Sequence, residues 1–86
     1  MTKFEVLDDK WLKITQNEKK ACIMKLDDIN YLKIKFNSRK YRENNHVITI
    51  SCPSGEFDLV YESDDNKRCS NDYESIMKIL GIPGSF

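Results

Sequence analysis

The sequence predicts an α+β fold, an antiparallel meander of about six short strands followed by one C-terminal amphipathic helix. Three observations predict it. Six stretches of five to seven residues alternate apolar and polar side chains, and turn-forming residues separate them. Only the stretch at residues 71–80 repeats its apolar residues at helical spacing.

Residues 3–7 (KFEVL) form the first expected strand, and Asp8-Asp9-Lys10 the turn after it. Residues 11–15 (WLKIT) put Leu12 and Ile14 on one face and Trp11, Lys13 and Thr15 on the other. Gln16 to Lys20 is polar and reads as the next turn. Residues 21–26 (ACIMKL) then align Cys22, Met24 and Leu26, with Cys22 expected in the core. In residues 31–36 (YLKIKF), Leu32, Ile34 and Phe36 point inward while Tyr31, Lys33 and Lys35 point outward. This is the signature of a half-buried antiparallel strand.

A polar loop spans residues 37–45. Residues 46–52 and 56–62 flank Pro53-Ser54-Gly55, a link of hairpin length in which glycine supplies a positive φ. Phe57, Leu59 and Tyr61 share one face of the second of these strands. Ser70 or Asn71 is the expected helix cap, with Glu74 three residues after Asn71 as in a capping box. Tyr73, Ile76, Met77 and Leu80 make one apolar stripe. Gly81 suits the left-handed position beyond the helix, Ile82 the contact after it and Pro83 the stop.

The chain has 86 residues, 40% apolar and 33% charged, the balance of one globular domain over residues 1–86. No apolar run reaches the 18 or so residues of a spanning helix. The opening MTKFEVLDDK has acids where a signal peptide has its apolar stretch, so a cytoplasmic location is expected. Fourteen basic residues balance fourteen acidic ones, which excludes a uniformly basic nucleic-acid binder.

A meander over residues 3–62 closed by a helix at 71–80, curling under strand twist into a half-barrel, resembles the small bacterial and phage pleckstrin-homology-like domains. By size and by its Lys-, Asn- and Ile-rich composition, the chain also resembles small phage-encoded anti-defence proteins of the anti-CRISPR kind. The first resemblance implies an adaptor that holds a peptide or an anionic headgroup. The second implies an inhibitor that blocks a host complex by surface contact.

Catalytic and metal chemistry find little material. Cys22, Cys52 and Cys69 are odd in number and form no CxxC pair. His46 with Cys52 and Cys69 matches no ligand spacing, and no metal or other cofactor is expected. His46 and Cys52 lie six apart on one strand, about 20 Å by strand rise, which leaves Cys69 as the one thiol open to pairing with His46. Ser54 sits in PSGE, a plain turn and not a nucleophile elbow. Three glycines provide no phosphate-cradling loop, and no catalytic residue is expected.

Charge is the informative pattern. Residues 1–43 hold eleven basic residues against seven acids, and residues 44–86 hold three against seven. One candidate binding surface is basic and aromatic: Tyr31, Lys33, Lys35, Arg39, Lys40, Tyr41 and Arg42. The other is acidic: Asp58, Glu62, Asp64, Asp65, Asp72 and Glu74. Each also has a plain structural reading, as lysines that guard a sheet edge and acids that complement a helix dipole. Trp11 is the one tryptophan; an exposed placement makes it an interface anchor, a one-residue change of phase puts it in the core. The expected function is non-catalytic binding of a protein partner, with a host nucleic-acid-binding complex as one candidate. Direct nucleic-acid or lipid binding through five basic residues is expected to be weak and salt-sensitive. Open sheet edges also allow homodimerisation.

Overall fold

A computed structural model describes residues 2–40 and 44–81. The architecture is α+β, with six antiparallel strands and one C-terminal helix. The strands are β1 (Thr2–Leu7), β2 (Trp11–Gln16), β3 (Lys20–Lys25), β4 (Tyr31–Ser38), β5 (Asn45–Cys52) and β6 (Gly55–Tyr61), and the helix is α1 (Asn66–Leu80). They do not form one meandering sheet. They form two sheets of three strands, β1-β2-β3 and β4-β5-β6, and no closed barrel. The break falls at Leu26–Asp28, which turns as a short 3₁₀ helix and carries the chain from the first sheet to the second.

The alternation in the sequence sets which side chains meet. Leu12, Ile14 and Met24 from the first sheet pack with Ile48, Ile50, Leu59 and Tyr61 from the second, and Cys69 and Ile76 of α1 join the same core. A thin core of this kind is made possible by burying one face of each layer. Among the described residues no helix is long and apolar enough to cross a membrane.

Several expectations are corrected. Helix α1 starts at Asn66, five residues ahead of the expected Asn71, with Asp65 at the N-cap position. Asn71 and Glu74 are therefore interior helix residues and form no capping box. The cause is Cys69, which is fully buried and extends the stripe of Tyr73, Ile76 and Met77 by one turn. At the other end Gly81 adopts φ 72° and its N–H reaches the carbonyls of Lys78 and Met77, as the sequence predicts. The expected roles of Ile82 and Pro83 lie outside the described residues.

Phe36 is the second correction. The β4–β5 register shifts between Lys35 and Ser38, and Asn37 takes φ 56°, so Phe36 leaves the inner face and stays 42% exposed. His46 shapes this bulge. Its Nδ1 accepts the Asn37 N–H at 3.1 Å, its Nε2 donates to the Ser63 carbonyl at 2.9 Å, and Phe36 meets its ring edge-on at 5.1 Å.

Gln16 and Lys20 are strand residues and not the turn expected of them. They also join the two sheets. The Gln16 side chain donates to the Val60 carbonyl at 3.0 Å and accepts the Val60 N–H at 3.4 Å, while Lys20 Nζ donates to the Asp58 carbonyl at 2.7 Å. Strand β6 is an edge, and these side chains occupy backbone groups that another strand would otherwise take. Gln16→Leu is expected to cost about 1–2 kcal/mol by leaving both Val60 groups without a partner. Urea unfolding at an unchanged slope measures it.

Both tight turns of the first sheet use left-handed residues without glycine. Asp8 and Asp9 have φ of 53° and 57°, and Asn17 and Glu18 have 54° and 58°. The matching bonds run from Lys10 N–H to the Leu7 carbonyl at 3.0 Å and from Lys19 N–H to the Gln16 carbonyl at 3.2 Å. This is the hairpin geometry that prefers Asn-Gly. Glu18→Gly is therefore expected to stabilise the protein by about 0.5–1 kcal/mol, a rise in Tm of about 2–8 °C in a thermal scan.

Candidate functional site

The outer face of the second sheet carries the strongest site. Outward positions of β4 place Tyr31, Lys33 and Lys35 across from Ser51, Thr49 and Val47 of β5. These in turn stand across from Glu56, Asp58 and Val60 of β6. The chain then leaves β4 through Ser38, Arg39 and Lys40. Together these residues enclose an open groove of about 420 Å³, lined by Lys33, Lys35, Arg39, Lys40 and Glu56 with Val47 and Thr49 beneath. Strand period explains the spacing, because residues two apart share a face.

The structure thus brings together Lys33, Lys35, Arg39 and Lys40 of the expected basic surface. Tyr31 stands on the same face, its hydroxyl donating to Glu56, and that bond raises its phenol above the usual range. Tyr41 and Arg42 lie outside the described residues. Among the described residues, Lys33, Lys35 and Arg39 take part in no ion pair. Three cations that face solvent over a shaped groove are available to an anionic ligand.

The expected acidic surface is not one surface. Asp58 is only 6% exposed and sits within the basic groove's face. Its Oδ2 accepts Lys40 Nζ at 2.7 Å and its Oδ1 accepts the Thr49 hydroxyl at 2.8 Å. A buried carboxylate needs such partners, and Asp58 finds them on β5 and in the turn that follows β4. Asp72 accepts the Tyr61 hydroxyl at 2.6 Å and ties α1 to β6. Asp65 occupies the N-cap position and lies 3.9 Å from Arg68. Only Glu62, Asp64 and Glu74 remain exposed.

The remaining candidates are placed as follows. Trp11 is 40% exposed, on the outer side of β2 as the phase of Leu12 and Ile14 requires. His46 has both ring nitrogens committed to backbone groups, which leaves neither for a metal or a proton relay. Burial and then the nearby Asp72 push the Cys69 thiol up to about 11, which keeps it protonated and unreactive at neutral pH. Cys22 packs against the core as expected, but from its margin, half-buried beside an open cleft. Among the described residues, no three His, Cys, Asp or Glu side chains converge as metal ligands.

No family model, curated protein or solved structure matches the chain. The site is therefore argued from its own geometry. Thr49 and Asp58 are the participants that sequence reasoning missed as partners. The available signal was a threonine and an aspartate at mid-strand outward positions, facing each other once β5 and β6 pair.

Proposed function

We propose that this chain is a non-catalytic protein-binding module, and that the groove of Lys33, Lys35 and Arg39 takes an acidic segment of its partner. The observation that carries the reading is the set of three unpaired cations over one groove on the second sheet. Two further features favour a peptide over a polyphosphate. Glu56 on the rim and Asp58 beneath give a field of mixed sign, which suits separated carboxylates better than contiguous phosphates. Strand β4 is also a sheet edge, so an extended segment added along it sets alternate side chains beside Lys33 and Lys35.

An adaptor-like use of a strand face is the role that the resemblance to pleckstrin-homology-like domains implies. Occupying a partner's acidic surface also makes the module an inhibitor of whatever that surface binds, the role suggested by the likeness to small anti-defence proteins. Three free thiols support a reducing compartment for this work.

The test is fluorescence anisotropy with a labelled peptide carrying glutamate at alternate positions, at about 50 mM and about 500 mM salt. The reading predicts binding that weakens with salt and disappears when glutamine replaces glutamate. Equal binding of the glutamine peptide overturns it. Tighter binding to anionic vesicles or to an RNA oligomer than to the peptide transfers the groove to those ligands.

A further inference from the structure

We propose that Cys22, Met24 and Cys52 form a site for one thiophilic monovalent metal ion, of the Cu(I) or Ag(I) class. Cys22 and Met24 are two residues apart on β3 and so share a face, while Cys52 ends β5 in the opposite sheet. The Cys52 Sγ stands 3.9 Å from the Met24 Sδ. All three residues line one open cleft of about 400 Å³, with Trp11 at the same opening. The cleft shares with the basic groove only Glu56 among its lining residues, and this inference does not depend on the peptide-binding reading.

Spacing and chemistry agree. Two sulfurs bound to one ion at about 2.3 Å each, at a trigonal angle, stand about 4.0 Å apart. The observed 3.9 Å between Cys52 and Met24 already has that bite. A borderline ion such as zinc takes a closed set of imidazole, thiolate or carboxylate donors, and no three such side chains converge among the described residues. Two thiols and a thioether are soft donors, and soft donors select soft ions. Binding breaks two S–H bonds, releases two protons to solvent and forms two metal–thiolate bonds, with the thioether donating a lone pair.

The experiment uses the reduced full chain without oxygen, with Cu(I) supplied as its coloured bathocuproine disulfonate complex. The loss of colour reports uptake, and Trp11 emission reports occupation of its own cleft. One Cu(I) per chain, release of two protons and quenching of Trp11 are expected. Cys22→Ser and Cys52→Ser are expected to abolish uptake, and Met24→Leu, close in volume, to weaken it at least about tenfold while leaving the fold intact. Absence of uptake by the natural chain overturns the proposal, as does uptake without proton release. Affinity unchanged by Met24→Leu or by either serine variant overturns it equally.

Discussion

Lys33→Glu, Lys35→Glu and Arg39→Glu in one chain are expected to reduce affinity for the acidic peptide by about a hundredfold near 0.1 M salt. An exposed ion pair contributes about 0.2–1 kcal/mol, and reversing a charge replaces attraction with repulsion of similar size. Each site therefore changes by about 1 kcal/mol, and three together exceed the 2.8 kcal/mol or so that corresponds to two decades. The fitting control reverses Lys3, Lys13 and Lys25, which stand on the outer face of the first sheet. It changes net charge equally and is expected to leave affinity within a few-fold. Equal losses in the two variants would mean that overall charge, and not the groove, attracts the peptide.

Asp58→Asn separates stability from binding in the same site. Asparagine can still accept the Thr49 hydroxyl, but it gives up the charge that holds Lys40 at 2.7 Å. Stability is expected to fall by about 1–2 kcal/mol, because a hydrogen bond to a charged group is lost in a buried place. Affinity for the acidic peptide is expected to rise about threefold, because a carboxylate that repels the peptide is gone. A variant that is less stable and yet binds more tightly is not explained by general damage. Loss of both properties would place Asp58 among residues that merely shape the groove.

How much of this was legible in the sequence follows from the range of the interactions involved. Alternation put Leu12 and Ile14 on one face and Trp11 on the other. Which face is inward depends on the opposite sheet and left the placing of Trp11 open, whereas side-chain direction in a strand is a local matter. Gly81 announced the helix end for the same reason, through a backbone angle that glycine adopts freely. The helix start was hidden, since Asn66 to Ser70 is polar apart from Cys69 and its burial depends on the sheets beneath. Period two also states which residues form strands without stating which strands pair, so the division at Leu26–Asp28 was not readable. Among the site residues, Lys33 and Lys35 were visible as outward positions of β4. Asp58 was counted with the acids because its partners, Thr49 and Lys40, reach it only through strand pairing.

Alkaline pH is expected to unfold the protein through the seam between α1 and β6. Tyr61 and Cys69 are both buried there, and the Tyr61 hydroxyl donates to Asp72 at 2.6 Å. Burial, and then the negative charge of Asp72, raise the thiol from 9.0 to about 11. Burial, then the hydrogen bond to Asp72, raise the phenol far above its ordinary 10.0. Both groups are neutral when protonated, so the folded chain keeps protons that the unfolded chain has already released. Their contribution is complete below pH 9.0 and is lost as pH rises toward about 11 for the thiol, with the phenol adding its loss above 10.0. At about 1.4 kcal/mol per unit, Cys69 alone removes about 3 kcal/mol across that window of about two units. Cys22 and Cys52 are raised by burial in the same sense and deepen the fall. A domain of this length holds about 4–13 kcal/mol in total, so the loss is a large part of its stability. Urea unfolding at about pH 8, 9.5 and 11 should follow this decline, steepening once the unfolded phenol ionises. Tyr61→Phe is expected to start about 1–2 kcal/mol lower at pH 8, having lost a bond to a carboxylate, and then to decline less steeply above pH 10. Parallel curves for the natural chain and Tyr61→Phe would show that Tyr61 ionises as freely in the folded protein as out of it, contrary to its buried contact with Asp72.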